Sequence, residues 1–253
     1  MGTLENKTAL VTGAARGIGF AIARRYAAEG ATVAIGDINL KGAREAAEKI
    51  NGAGGKAIAI ELDVSDETSG LKAVDSAIAV FGSVDILVNN AASITPTQSI
   101  LELSPADWRR AIDINLTGAY LMCRAVLPAM RERGSGVIIN VASQLGSVGS
   151  KGRAPYCASK GALIQFTRVL ALDHAAEGIR AVSLSPGAVV TERLLDFYDT
   201  PEGAQAALGP KHPIGRVGQP DEIAGAALFL ASDDAAFMAV ISLSENRAAA
   251  SFH

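Results

Sequence analysis

Residues 8–30 read TALVTGAARGIGFAIARRYAAEG. A short apolar, β-rich run from Thr8 to Thr12 breaks at Gly13 into a glycine-rich turn, then into a segment with apolar residues at helical spacing that closes on Gly30. Strand, turn and helix in that order make the first half of a βαβ unit. Gly30 suits a left-handed helix cap, because glycine has no Cβ to clash there. Gly13, Gly17 and Gly19 follow a G-x-x-x-G-x-G spacing rather than the usual G-x-G-x-x-G. Glycines at such a turn let the backbone approach a pyrophosphate, which can rest on the exposed N–H groups and positive end of the helix. The same turn can serve helix packing alone, so by itself it leaves both readings open.

The alternation continues along the chain. Short β-rich runs lie at 31–36, 56–61, 84–89, 136–142 and 179–185, a seventh lies at 239–244, and helical patterns separate them. Parallel strands joined by right-handed helical crossovers predict an α/β fold, a doubly wound parallel sheet of the Rossmann type with about seven strands and helices on both faces. Ser104, Pro105 and Asp107 mark a helix start, with Ser104 as the capping residue. No linker, repeat or low-complexity stretch divides residues 1–253, so a single α/β domain is expected.

Composition narrows the class. The chain is 49% hydrophobic and 5% aromatic, enough for a substantial core. Its 23 basic and 26 acidic residues give a net charge of −3, with no basic cluster to track a phosphate backbone, so nucleic acid is not expected as a partner. No apolar run reaches the length of a membrane span or a signal peptide. Cys123 and Cys157 sit in helical segments and read as reduced, buried thiols of a cytoplasmic enzyme. His174, His212 and His253 have no spacing suited to a shared metal, so no metal is expected.

Several polar residues fall at strand ends on one edge of the predicted sheet. Asp37 closes the second strand, where a carboxylate can accept hydrogen bonds from an adenine ribose and repel a 2′-phosphate. Arg16, Lys41 and Arg44 pull toward that phosphate, but Asp37 favours NAD over NADP. Asp63 follows the third strand, and Asn89, Asn90, Ala91 and Ala92 follow the fourth. Turn chemistry alone also explains Asp and Asn there.

Taken with Ser143 and the run PYCASK at 155–160, the stretches TGAARGIG and NNAA make the chain resemble the short-chain dehydrogenase/reductase family in its classical form. The resemblance spans Lys7 to about Met238. It implies that Gly13, Arg16, Gly17, Ile18 and Gly19 hold the pyrophosphate turn, Asp37 the ribose, and Asp63 and Val64 the adenine. Asn89 and Ala91 would line the cofactor cleft, and Pro186, Gly187, Val189 and Thr191 would hold the nicotinamide carboxamide. Asn115, Ser143, Tyr156 and Lys160 would be the catalytic four, with Tyr156 and Lys160 also touching the cofactor. It further implies that residues 1–253 make one NAD(P)-binding catalytic domain and a homotetramer, with the helix around 105–132 and the PYCASK helix at the interfaces.

Tyr156 and Lys160 lie one helical turn apart, so they share a helix face that Pro155 can initiate. A free phenol, with a pKa of about 10, is a poor base at neutral pH, and an adjacent ammonium favours phenolate. Such a tyrosine can take the proton of a substrate hydroxyl as hydride leaves carbon. The resemblance implies that Ser143 orients the oxygen and that Asn115 extends a water relay to Lys160.

Two departures from the family pattern stand out. Ala181-Val182 replaces the common Val-Asn before SPG, and the tail at 239–253 lacks both Thr-Gly and the Asp-Gly-Gly turn, reading SEN at 244–246. Residues 188–216 read as a substrate-covering lid built on a helix. Gln144, Arg153 and Leu194 are candidate substrate contacts. The reaction expected is hydride transfer between NAD and a secondary alcohol or ketone, with a sugar or polyol as the expected substrate. A 3-oxoacyl-carrier-protein reductase and a catalytically impaired NAD-binding scaffold or sensor are the alternatives.

Overall fold

The computed structural model describes residues 2–238 and 240–244. Strand β1 (Thr8–Thr12) is buried at every position and leads through the glycine turn into α1 (Gly17–Ala28). The alternation then runs β2 (Thr32–Asp37), α2 (Leu40–Gly52), β3 (Lys56–Glu61), α3 (Glu67–Phe81) and β4 (Ile86–Asn89). Next come α4 (Pro105–Ile112), α5 (Gly118–Arg133), β5 (Gly136–Val141), α6 (Ala154–His174) and β6 (Ile179–Ser185). The chain finishes with α7 (Glu192–Leu195), α8 (Pro201–Leu208), α9 (Pro220–Ala231) and β7 (Val240–Ser244).

All seven strands pair in parallel, in the order β3-β2-β1-β4-β5-β6-β7. The order reverses between β1 and β4, and a ligand crevice opens beyond the carboxyl ends of the strands at such a reversal. Neighbouring residues of β1 face opposite layers. Val11 joins Ile22, Tyr26, Ile35 and Leu228 on one face, and Leu10 joins Leu87, Met122, Met130 and Ile138 on the other.

Local signals act as read. Ser104 Oγ accepts the Asp107 N–H at 3.0 Å, and Gly30 sits at a φ of +92° just past α1. Val182, where the family pattern has Asn, is fully buried in the apolar layer and asks for no polar partner. The strand expected at 239–244 forms at Val240–Ser244, in register with Ala181–Ser185. The remainder of the atypical tail, residues 245–253, lies outside the described residues, as does His253.

Two segments differ from the expectation. The helix around 105–132 is interrupted by a wide π-helical turn at Asp113–Thr117. Immediately after it, Gly118 brings α5 so close to Val64 that a Cβ there would meet Val64 Cγ2 at 2.8 Å. Residues 188–216 carry two short helices, α7 and α8, not one. Pro201 holds Thr200 extended and Thr200 Oγ1 caps the Gly203 N–H, which starts a new helix instead of continuing the old one.

Candidate active site

Two of the glycines in the first turn adopt left-handed backbone, Gly13 at φ +62° and Gly17 at +60°. A Cβ on Gly13 would sit 2.8 Å from Ala91 Cα, and one on Gly19 would sit 2.5 Å from Asn90 Nδ2 and Gly13 O. Side chains are therefore excluded by neighbouring chain. Thr12 Oγ1 accepts the N–H groups of Asn90 and Ala91, both at 3.0 Å, while Asn90 Nδ2 donates to Thr12 O and Gly13 O at 3.0 and 2.9 Å. Asn90, which the sequence reading gave no role, thus stitches the turn to the end of β4.

Helix α1 begins at an extended Arg16 with no side-chain cap and no acidic residue in its first turn. Its leading N–H groups and positive end are open to an anion. Asp37 Oδ2 accepts the Ala15 N–H at 3.0 Å and Oδ1 accepts the Asn39 N–H at 2.9 Å, which turns the carboxylate toward the glycine loop. These residues fit a dinucleotide. Ile18 is partly buried against the core beneath the turn, and Arg16 is exposed. Asp63 Oδ1 accepts from Ser65 N and Oγ at 2.9 and 2.6 Å, and Val64 is buried beside Gly118. Asn89 points elsewhere. Its Nδ2 donates to Asn140 Oδ1 at 2.8 Å, Asn140 Nδ2 donates to Thr167 Oγ1 at 2.8 Å, and Thr167 Oγ1 donates to Leu163 O.

The other half of the site gathers around α6. Lys160 is 2% exposed, donates from Nζ to Val141 O at 2.7 Å, and keeps Nζ 5.9 Å from the Tyr156 ring centroid. Burial, and secondarily the Arg193 charge, bring its pKa down to about 7. Ser143, two residues past that same Val141, is buried and accepts the Leu145 N–H on Oγ at 3.2 Å. Asn115, in the π turn, accepts the Ser93 N–H at 2.8 Å and donates to Ser159 Oγ at 3.0 Å. Ser159 in turn donates to Tyr156 O at 2.9 Å.

Past β6, Pro186 O accepts the Gln144 N–H at 3.0 Å and Gly187 is partly buried. Val189 bridges Gly218, and Thr191 Oγ1 caps α7 by accepting the Leu194 N–H at 3.2 Å. His212 Nε2 accepts the Ala188 N–H at 3.0 Å, which leaves Nδ1 as the donor to Leu208 O at 2.8 Å. Leu194 is partly buried.

Comparison with known proteins bears on this arrangement. Residues 13–243 match a family model described as enoyl-(acyl carrier protein) reductase. D-threitol dehydrogenase of Mycolicibacterium smegmatis is 44% identical over 237 residues, covering 93% of this chain and 89% of that one. The chain belongs to the short-chain dehydrogenase/reductase family. A short-chain type dehydrogenase/reductase from Mycobacterium marinum superposes with a TM-score of 0.92 at 33% identity, covering 98% of this chain and 97% of that one. NAD+-bound xylitol dehydrogenase gives 0.90 at 32% identity, with 95% and 98% covered. As a short-chain dehydrogenase/reductase, the protein is an oxidoreductase that uses a nicotinamide cofactor on a small alcohol or ketone.

Besides Asn90, a second residue of this short-chain dehydrogenase/reductase site escaped sequence reasoning. Arg193, on α7, places its guanidinium 5.4 Å from the Tyr156 ring centroid and donates to Ala92 O and Ser93 O. Burial holds its pKa below the usual arginine value. Its partners lie about a hundred positions upstream, so no spacing in the chain announces the contact. Nearby, the Arg153 guanidinium stacks 4.7 Å from the Phe197 ring centroid, and Gln144 Oε1 is buried with no partner. Of the histidines, His174 bonds Glu177 at 2.7 Å and His212 clamps the loop, both structural duties. Cys123 is buried, which raises its thiol pKa to about 12 and makes it inert. No helix among the described residues is long and apolar enough to cross a membrane.

Proposed function

We propose that the protein is an NAD-dependent dehydrogenase that oxidises a secondary alcohol, a sugar or polyol, and reduces the ketone in reverse. The observation that carries this reading is the buried Lys160, tied to Val141 at the end of the strand that leads to Ser143 and set beside the Tyr156 ring. The nicotinamide, when bound, supplies the hydride acceptor for oxidation and, reduced, the donor for the reverse reaction. Tyr156 Oη takes the hydroxyl proton in oxidation and returns it in reduction. Ser143 Oγ orients the substrate oxygen. Lys160 favours the phenolate electrostatically, and a pKa of about 7 suits it to exchange protons at neutral pH. The Asn115 side chain is committed to Ser93 and Ser159, so its part in a water relay falls to its main chain within the wide turn.

The dinucleotide would lie from Asp37 and Asp63-Val64, across Gly13, Gly17 and Gly19, to Tyr156 and the Pro186–Thr191 segment. Asp37 favours NAD, since its carboxylate can accept from ribose hydroxyls and repels a 2′-phosphate. Residues 188–216 act as the lid, and Gln144, Arg153 and Leu194 border the substrate. The buried, unpartnered Gln144 Oε1 supports a hydroxylated substrate. Residues 1–253 act as one catalytic domain. A homotetramer fits the apolar side chains that α4, α5 and α6 expose, Trp108, Tyr120, Val169 and Leu172. A cytoplasmic location fits the two free cysteines.

The test is turnover on a panel of sugars, polyols and simple secondary alcohols, with NAD and NADP in parallel. Tyr156→Phe should retain NAD binding and lose about 10²- to 10⁴-fold in kcat. An unchanged rate in that variant would remove Tyr156 from the chemistry.

A further inference from the structure

We propose that α7 is a latch displaced by the cofactor: Glu192 sets a carboxylate against the glycine loop and Arg193 sets a guanidinium over Tyr156, standing in for charges of the dinucleotide that bridges those two points. This rests on the placement of the dinucleotide given under Proposed function. Two contacts at opposite ends of the cleft carry it. A Cβ built on Gly17 would meet Thr191 Cγ2 at 3.5 Å and Glu192 Oε2 at 3.6 Å, so the Glu192 carboxylate leans over the uncapped start of α1. That is where the helix end favours an anion such as pyrophosphate. At the other end, Arg193 stacks over the Tyr156 ring and bonds Ala92 O and Ser93 O, just past β4. A cation there occupies the space next to the reacting hydroxyl, where an oxidised nicotinamide would place its own positive charge.

Neither side chain forms an ion pair among the described residues. Tyr156 and Asp196 favour the charge on Arg193 without tying it into an ion pair. Helix α7 itself is a single turn, capped by Thr191, and can leave as a unit. On this proposal a dinucleotide reaching from Gly17 to Tyr156 and this position of α7 compete for the same two points. The apparent affinity for cofactor is then reduced by the fraction of molecules that are latched.

The experiment is calorimetric titration of NAD into wild type, Arg193→Gln and Glu192→Gln without substrate, each checked for native circular dichroism, with AMP as a second ligand. A loosened latch should tighten NAD binding, by about tenfold for Arg193→Gln when the latched form is nine-tenths populated. AMP, whose phosphate would also rest on the glycine loop, should tighten along with NAD in both variants because α7 leaves as a unit. Unchanged AMP binding beside tighter NAD binding overturns that concerted release. Weaker or unchanged NAD binding in both variants overturns the latch and, if weaker, makes the residues ordinary cofactor ligands. Failure of wild type and variants alike to bind NAD or NADP overturns the cofactor reading itself.

Discussion

Arg193 and Lys160 press like charges on Tyr156, the guanidinium 5.4 Å and the ammonium 5.9 Å from the centroid of its ring. Burial is the larger cause of the lysine's lowered pKa, and the arginine adds to it. Removing the arginine charge relieves the repulsion and favours the protonated lysine. In Arg193→Met, Lys160 should therefore titrate above pH 7 in the cofactor-free protein. NMR of ε-labelled lysine would follow it, and a midpoint unchanged or lower would break the electrostatic link.

Lys160 also couples stability to pH. Its ordinary pKa is 10.5 and its folded value is about 7, so between those limits the unfolded chain holds more proton than the folded one. The lysine's penalty is full below pH 7 and fades as pH rises toward 10. Stability of wild type relative to Lys160→Met should accordingly increase with pH over that window. Urea unfolding at pH 7 and pH 9 reads the difference, and parallel behaviour of the two proteins would contradict it.

The proposed preference for NAD rests on Asp37, whose carboxylate is aimed at the glycine loop. Replacing it by serine keeps an acceptor for the Ala15 N–H and removes the charge. The preference for NAD over NADP, measured as a ratio of kcat/KM, should fall roughly 100-fold, the scale of a close like-charge contact. A ratio that stays put would shift selectivity onto Arg16, Lys41 or Arg44.

Leu172 is 71% exposed on α6 in the single chain, with Val169 beside it at 46%. On a free surface, Leu172→Glu would change stability by no more than about 0.5 kcal/mol. At a subunit interface it buries a carboxylate in apolar surroundings and should split the assembly. Light scattering on size exclusion decides: identical masses for wild type and variant would take α6 out of the proposed tetramer contact.

Much of the architecture was legible because strands and caps are local. The run 179–185 and the Ser104 cap needed only neighbours in sequence, and both formed at the positions read. The π turn at Asp113–Thr117 was not legible, since one residue of slack in a helix barely disturbs a 3.6-residue pattern. Nor did the letters Asn89-Asn90 say which amide would face the glycine loop. The carboxyl end of β4 settles that by turning successive side chains to opposite sides, Asn89 to Asn140 and Asn90 to Gly13. Arg193 depended on a contact across about a hundred residues and on a 188–216 segment of two helices in place of one.

The chain of amides and hydroxyl from Asn89 through Asn140 to Thr167 fixes β4, β5 and α6 against one another from inside the core. Sliding α6 by one turn would strand buried polar groups, so the helix carrying Tyr156 and Lys160 is indexed to the strand leading to Ser143 by parts no substrate would touch. The 188–216 segment is held by other bonds, Arg193 to Ala92 and Ser93 and Val190 to Gly218, and His212 to Ala188 closes it on itself. The framing of Tyr156 and Lys160 is thus independent of the stretch 195–211, which a lineage, or an engineer, can rewrite while that framing stays put.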